Sequence, residues 1–431
     1  MTRNIALGPA AAPRRRIALT CALALVPLSL TLTACGGGSD PLAAAPYDAA
    51  GQIALHGVTG GSSVPGRPLE VTATEEGSRI IDVTARDAAG RRLSGELDQD
   101  GTRWRSTHPL AGDTRYTVRV STERASGAQG RGTLSFRTRP LRGEKLTVKF
   151  GPKAGTYGVG QPIVARLNHK ISKPEERARV ERALHVHSTP QVQGSWHWVD
   201  DTTLHYRPPE YWPAHATITV SSALQGVRIR KGLHGGAATP LRLRTGDRIE
   251  AITDIDAHTM TFKRNGKVVR TIPVTTGKEG FRTRKGIKVI LAKEQYVRMR
   301  GTSVGIAAGS AENYDLPVYW ASRLTWSGEY VHGAPWSAGS HGVANVSHGC
   351  TGMSTENAKW FFEHVRRGDV MRYVGGEGER MTPFDNGFGD WNLSWKQWRA
   401  GSALGEAENG APAEPADLAD ADAGRLRPLP V

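Results

Sequence analysis

Residues 331–354 read VHGAPWSAGSHGVANVSHGCTGMS: one thiol, three histidines and a dense load of Gly, Ser and Ala. Immediately after them, over 355–367, Ala358, Phe361, Phe362 and Val365 recur at i, i+3, i+4 and i+7, the spacing of one helical face. Ser354 stands where an N-cap belongs, because its hydroxyl can accept from an orphan N–H of the first turn. Upstream the pattern changes to short β runs at 248–255, 259–264, 268–275, 287–292 and 318–325, with Asn265-Gly266 as a hairpin turn signal. The spacing therefore predicts a mixed, mainly β unit over 247–374, with Cys350 on a loop just before a helix. A helix start favours negative charge, so the same reading expects help for a thiolate at Cys350.

Two further β units precede this one. Alternating runs at 80–84, 116–120 and 133–137 predict a small sandwich over 51–140, and a second unit over 141–246 begins at 146–150 and ends at 241–244. Inside the second, residues 174–184 predict a short helix with an acidic first turn, and His185 and His187 are read as strand surface. Both units are expected to be immunoglobulin-like. Downstream, Trp391, Trp395 and Trp398 fall at i, i+4 and i+7, predicting a helical, Trp-rich C-terminal cap over 375–401 that packs on the third unit. The tail, 402–431, carries six acids against two arginines among Ala and Pro, and its composition predicts disorder.

The N-terminus sets the compartment. Residues 1–34 hold four arginines, no acid and an apolar stretch broken by Pro27, the form of an export signal too short to span a bilayer. Leu32-Thr33-Ala34-Cys35 followed by GGGSD resembles a lipobox, so Cys35 is expected to carry lipid, with 35–50 as a flexible tether. The net charge of +15 would suit any polyanion, but export removes nucleic acid as a partner. Cys21 leaves with the signal and Cys35 is taken by lipid, so Cys350 is the one thiol left, with no disulfide partner. Thiol catalysis needs a base, an orienting group and oxyanion donors. His332, His341 and His348 are the local base candidates; His348 sits too near Cys350 in the chain to meet it well in an extended loop. The competing reading of a Gly/His-rich loop is a zinc site, but the ligand spacing that zinc wants is missing, and neither metal nor cofactor is expected.

His332-Gly333 followed by Ser347-His348-Gly349-Cys350 resembles the signature of the L,D-transpeptidase (YkuD-type) catalytic domain. Phe150-Gly151-Pro152, the run SWHWVDDTTLHYRPPEYWP at 195–213 and the GDW…W…WRAG end at 389–401 are similar to the actinobacterial, mycobacterial-type lipoproteins with two immunoglobulin-like domains before that unit. The resemblance implies a monomeric, extracytoplasmic enzyme acting on peptidoglycan stem peptides through a Cys thioester to give 3→3 cross-links. It implies Cys350 as nucleophile, His332 as base oriented by the Gly333 carbonyl, and the N–H groups of His348, Gly349 and Cys350 as oxyanion hole. It also places Met299, Tyr314 and Trp336 in the substrate cleft and Asn345 and Ser347 in the catalytic loop as substrate contacts. The family usually follows its cysteine with an apolar residue and then Arg or Asn, whereas this chain has Thr351-Gly352. The departure predicts slow acylation, quickened by Asn at 352.

Overall fold

The computed structural model describes residues 45–88 and 90–404. The export signal with Cys21, the lipobox cysteine Cys35, and the tail beyond Leu404 lie outside the described residues. The protein is mainly β. Its first sandwich faces a seven-stranded sheet, built on the long antiparallel strands Arg79–Asp87, Arg115–Glu123 and Gln129–Thr138, against a four-stranded one. Leu69, Val71, Trp104, Val118 and Phe136 fill the space between them. The tether expected over 35–50 ends earlier than read. Tyr47–Asp48 pairs in parallel with Gln129–Thr138, and the Tyr47 ring lies 4.1 Å beneath the Arg124 guanidinium. A ring offers stacking area that Gly and Ala cannot, which is why pairing begins there.

The second sandwich packs two four-stranded sheets and the helix Pro174–Arg182 around Trp196, Trp198, Tyr206 and Trp212. His185 and His187 lie on its surface strand Leu184–Thr189. The third unit contains two sheets. In the five-stranded one, Ile249–Asp254 runs parallel to Val370–Val374 while its other pairings are antiparallel. In the four-stranded one, Ala292–Arg300, Asp315–Arg323 and Tyr330–Gly333 are antiparallel, and Thr351–Met353 joins in parallel. Asn265 and Gly266 both adopt positive φ, the backbone a two-residue hairpin requires. Ser354 caps the following helix by accepting from Asn357 N at 3.2 Å. That helix covers Thr355–His364 rather than reaching 367, because the Asp369 carboxylate takes the Arg366 N–H at 2.7 Å and turns the chain.

The tryptophan segment departs most from expectation. Trp391 belongs to a short 3-10 turn, Asp390–Asn392, and Trp395–Ala400 is a separate helix begun by a capping box on Ser394 and Gln397. The rings thus share no single helix, and their partners lie in the second sandwich, not the third unit. Trp391 Nε1 donates to Gly160 O at 2.8 Å and Trp398 Nε1 to Ser195 O at 2.9 Å. Arg207 sits 4.7, 5.6 and 4.5 Å from the rings of Trp391, Trp395 and Trp398. Buried indole N–H groups need acceptors and a desolvated cation gains from π faces, and this sandwich supplies both. Meanwhile Asn392 exchanges two hydrogen bonds with the backbone of Ile287 in the third unit. The start of the expected tail is also bound: Ala403 N donates to Glu181 at 2.8 Å.

Candidate active site

Strand pairing brings the motif residues together. His332 stands opposite Gly352 in the parallel pair of Tyr330–Gly333 with Thr351–Met353, so Cys350, at the head of the second strand, lies beside the first. The far edge of this strand is fixed to Thr275, with N–H···O bonds of 2.9 Å in both directions. His332 is buried, and its Nδ1 donates to Gly333 O at 2.8 Å, which directs Nε2 as the acceptor. Burial holds its pKa below the usual histidine value, so the neutral imidazole prevails. The half-exposed Trp336 ring stacks over it at 5.9 Å, a cover rather than a core residue.

Cys350 does not have the activated thiol that proximity to a helix suggested. A strand, Thr351–Met353, separates it from the helix start, outside the reach of the terminal dipole. Burial pushes the thiol up to about 12; a backbone bond at Tyr330 and the Lys288 ammonium pull it down, and Glu329 pushes further up. The sulfur donates to Gly328 O at 3.5 Å. Met299, Leu316 and Val297 pack with Cys350 around Val318, Ala321 and Tyr330. The resting thiol of Cys350 and the resting imidazole of His332 are therefore both neutral.

The loop residues read as substrate contacts brace the loop instead. Asn345 Oδ1 accepts from Thr276 N, Thr276 Oγ1 and His258 Nδ1, while its amide donates to Ile255 O. Ser347 Oγ donates to Cys350 O at 2.6 Å and accepts from Gly349 N at 3.2 Å, so one expected oxyanion donor is already engaged. His348 turns outward: its Nε2 lies 2.8 Å from Glu312, which also pairs with Lys278 at 2.5 Å, and its ring lies between Phe281 and Tyr314. The Lys278 ammonium, then His348, hold the Glu312 carboxyl below its ordinary range. Glu312, Lys278, Thr283 (bonded to Gly349 O at 2.8 Å), Lys288 and Glu329 have no place in the sequence motif, and sequence reasoning missed them. Among the described residues no His, Cys, Asp and Glu gather as a metal site.

With fold and site described, comparison defines their class. The L,D-transpeptidase catalytic domain family matches residues 248–373, and the bacterial Ig domain family matches 63–228, a span that reaches across both sandwiches. L,D-transpeptidase 2 of Mycobacterium tuberculosis is 32% identical over 336 residues, covering 78% of this chain and 81% of that protein. L,D-transpeptidase 1 of the same organism is 36% identical over 238 residues, covering 55% and 88%. A solved LD transpeptidase in complex with imipenem aligns over 55% of this chain and all of its own at 34% identity, with a TM-score of 0.46. The chain belongs to the L,D-transpeptidase family.

Gly352 is explained by packing. A Cβ there would stand 2.9 Å from Ala334 Cβ and 3.0 Å from Thr275 Cγ2, so the gain expected from Asn at 352 gives way to a clash. By contrast, a Cβ at Gly333 meets nothing nearer than 3.4 Å. Gly352→Ala should lower the melting temperature and slow acylation at Cys350, overpacking of this kind costing about 1–3 kcal/mol. Gly333→Ser should leave both near wild type in a thermal melt and an acylation assay.

Proposed function

We propose that this chain is a cysteine L,D-transpeptidase that joins peptidoglycan stem peptides in 3→3 cross-links through a thioester on Cys350. The observation that carries the reading is the register of the two parallel strands. It pairs His332 with Gly352, two residues along the chain from Cys350, and His332 has its Nδ1 committed to Gly333 O and its Nε2 left to take a proton. Cys350 Sγ attacks the carbonyl of the third stem residue, a diaminoacid, as its proton passes to His332. The C–N bond to the terminal D-Ala breaks, and His332 returns the proton to the departing amine. The side-chain amine of a neighbouring stem then attacks the thioester, gives its proton to His332, and releases the thiolate, which recovers a proton.

Oxyanion stabilisation is assigned to the N–H groups of His348 and Cys350, with Gly349 N–H contributing once Ser347 releases it. Met299, Tyr314 and Trp336 line the approach to the thiol. The protein works as an extracytoplasmic monomer held at the membrane through lipid on Cys35, its two sandwiches spacing the catalytic unit toward the wall.

Cys350→Ala should abolish release of D-Ala from a tetrapeptide stem without changing the fold. A carbapenem, whose strained amide the same thiol can attack, should add one drug mass at Cys350 in the intact protein and none in the variant. His332→Ala should cost about 100-fold in kcat/KM, the scale of losing a general base. Persistent D-Ala release by Cys350→Ala would end the proposal, and release of tripeptide without cross-linked product would make the enzyme a carboxypeptidase.

Because burial lowers the His332 pKa, its base form survives below the ordinary histidine range. The acidic limb of the kcat/KM profile should therefore fall below pH 6.5, the model-peptide value. A limb at or above that value would assign the base to another group. Cys35→Ala should move the protein from the membrane fraction to the medium or wall; continued membrane fractionation would place the anchor elsewhere.

A further inference from the structure

Beneath the catalytic loop lies a buried charge cluster that the acyl-transfer steps leave unused. Lys288, on strand Gly286–Val289, is wholly buried, and its Nζ donates to Glu329 Oε2 at 2.5 Å. Arg284 adds two bonds to Glu329 Oε1, from Nη1 at 3.0 Å and from its backbone N–H at 3.2 Å. The Lys288 ammonium also sits 4.1 Å over the Tyr373 ring.

This cluster touches the nucleophile's surroundings from two sides. Glu329 lies between Gly328, whose carbonyl accepts from the Cys350 thiol, and Tyr330; its Cγ would be 3.9 Å from a Cβ built on Gly349. On the other side Tyr373, over which Lys288 rests, shares a 2.7 Å hydrogen bond with Thr351. Gly349 thus lies close to Glu329, and Thr351 is tied to the ring over which Lys288 rests. Removing two charges from water is costly, and apolar residues of similar volume often give equal or greater stability. Stability alone is a weak reason for the pair, and its position beside a thiol that must ionise supplies a stronger one. The ionisable groups around that thiol are Glu329, Lys288, the phenols of Tyr314, Tyr330 and Tyr373, and His332, which stands opposite Gly352 two residues along the chain. Arg284 stands behind Glu329, and its partly exposed side chain makes it the weaker cation.

We infer that Lys288 and Glu329 are positioning residues for the transpeptidase reaction: an opposed charge pair that sets how readily Cys350 releases its proton, Lys288 favouring the thiolate and Glu329 opposing it. The inference rests on Cys350 being the nucleophile. Its test reads the ionisation of the thiol itself, so it succeeds or fails independently of catalysis.

Iodoacetamide alkylation of Cys350 at neutral pH, followed by peptide mass spectrometry on the full chain, reports the thiolate fraction. Glu329→Gln removes the anion and should raise the alkylation rate about tenfold, equivalent to one pKa unit. Lys288→Met keeps the side chain's length, removes the cation and should lower the rate about tenfold. The double variant, with both charges gone and both shapes kept, should return close to wild type. A merely structural pair would move both single variants in the same direction, by loosening the loop, and that result would overturn the proposal, as would unchanged rates. If Lys288→Met fails to melt cooperatively, the pH profile of alkylation in Glu329→Gln decides the matter: a profile shifted to lower pH supports the pair, and an unshifted profile refutes it whatever the rate.

Discussion

The parallel pairing of Tyr330–Gly333 with Thr351–Met353 is the constraint on which the site depends. Side chains alternate along a strand, so a slip of one residue would turn His332 or Cys350 to the opposite face. Two kinds of contact hold the register. The Thr275 bonds fix the outer edge of the short strand, and Thr351 is tied to Tyr373 in the other sheet. Gly352 fits the close approach of this strand to Ala334 and Thr275, where a Cβ would stand 2.9 and 3.0 Å from them. The loop before Cys350 then closes on itself through Ser347, and Asn345 ties it to Thr276, His258 and Ile255.

A second layer of constraint joins this unit to the sandwich before it. Gly158 N and Gly160 N donate to Arg367 O and Gly368 O, and a Cβ at Gly158 would strike the Asp369 backbone at 2.2 Å, so glycine permits the contact. The tryptophan segment straps the same two units from another side. His205 and the fully buried Asp390 pair at 2.6 Å, and Arg207 reaches Leu393 O at 2.8 Å beneath the three indoles. Because Asn392 is bonded to Ile287, the residue just before Lys288, the strap reaches the strand that carries the buried cation.

What the sequence disclosed follows from the range of its signals. Local signals read well: the Asn265-Gly266 hairpin, the Ser354 cap and the runs that became Thr259–Arg264 and Asp315–Arg323 each depend on neighbours a few residues away. The motif gave Cys350 and His332 as a pair to consider, and the fold pairs the strand of His332 with the strand that begins just after Cys350. Strands of three to five residues, such as Thr351–Met353 and Val370–Val374, escaped because so short a run has no resolvable period, and their pairing partners are distant in the chain. The Trp segment misled because i, i+4, i+7 spacing marks a helix only when nothing interrupts it, and Leu393-Ser394 is extended. Lys288 and Glu329 were hidden for a different reason: a charged residue in an alternating run is ordinarily solvated, and only tertiary structure shows the partner that allows its burial.

The resting electrostatics fit a thiol that must persist before it reacts. The thiolate, not the thiol, is the form that electrophiles and oxidants both attack. A thiol pushed up to about 12 by burial is therefore inert on its own, in the oxidising compartment proposed for it as elsewhere. The imidazole held neutral beside it is ready to accept a proton but has little drive to take one while no electrophile is present. In the thioester mechanism proposed above, an acyl carbonyl changes this balance, because charge leaving sulfur in the transition state is carried to an oxygen that backbone N–H groups can meet. Reactivity is thereby coupled to occupancy of the site. The Lys288 and Glu329 charges act on the same balance from behind, and a modest difference between them shifts the thiol's readiness without altering anything that the substrate touches.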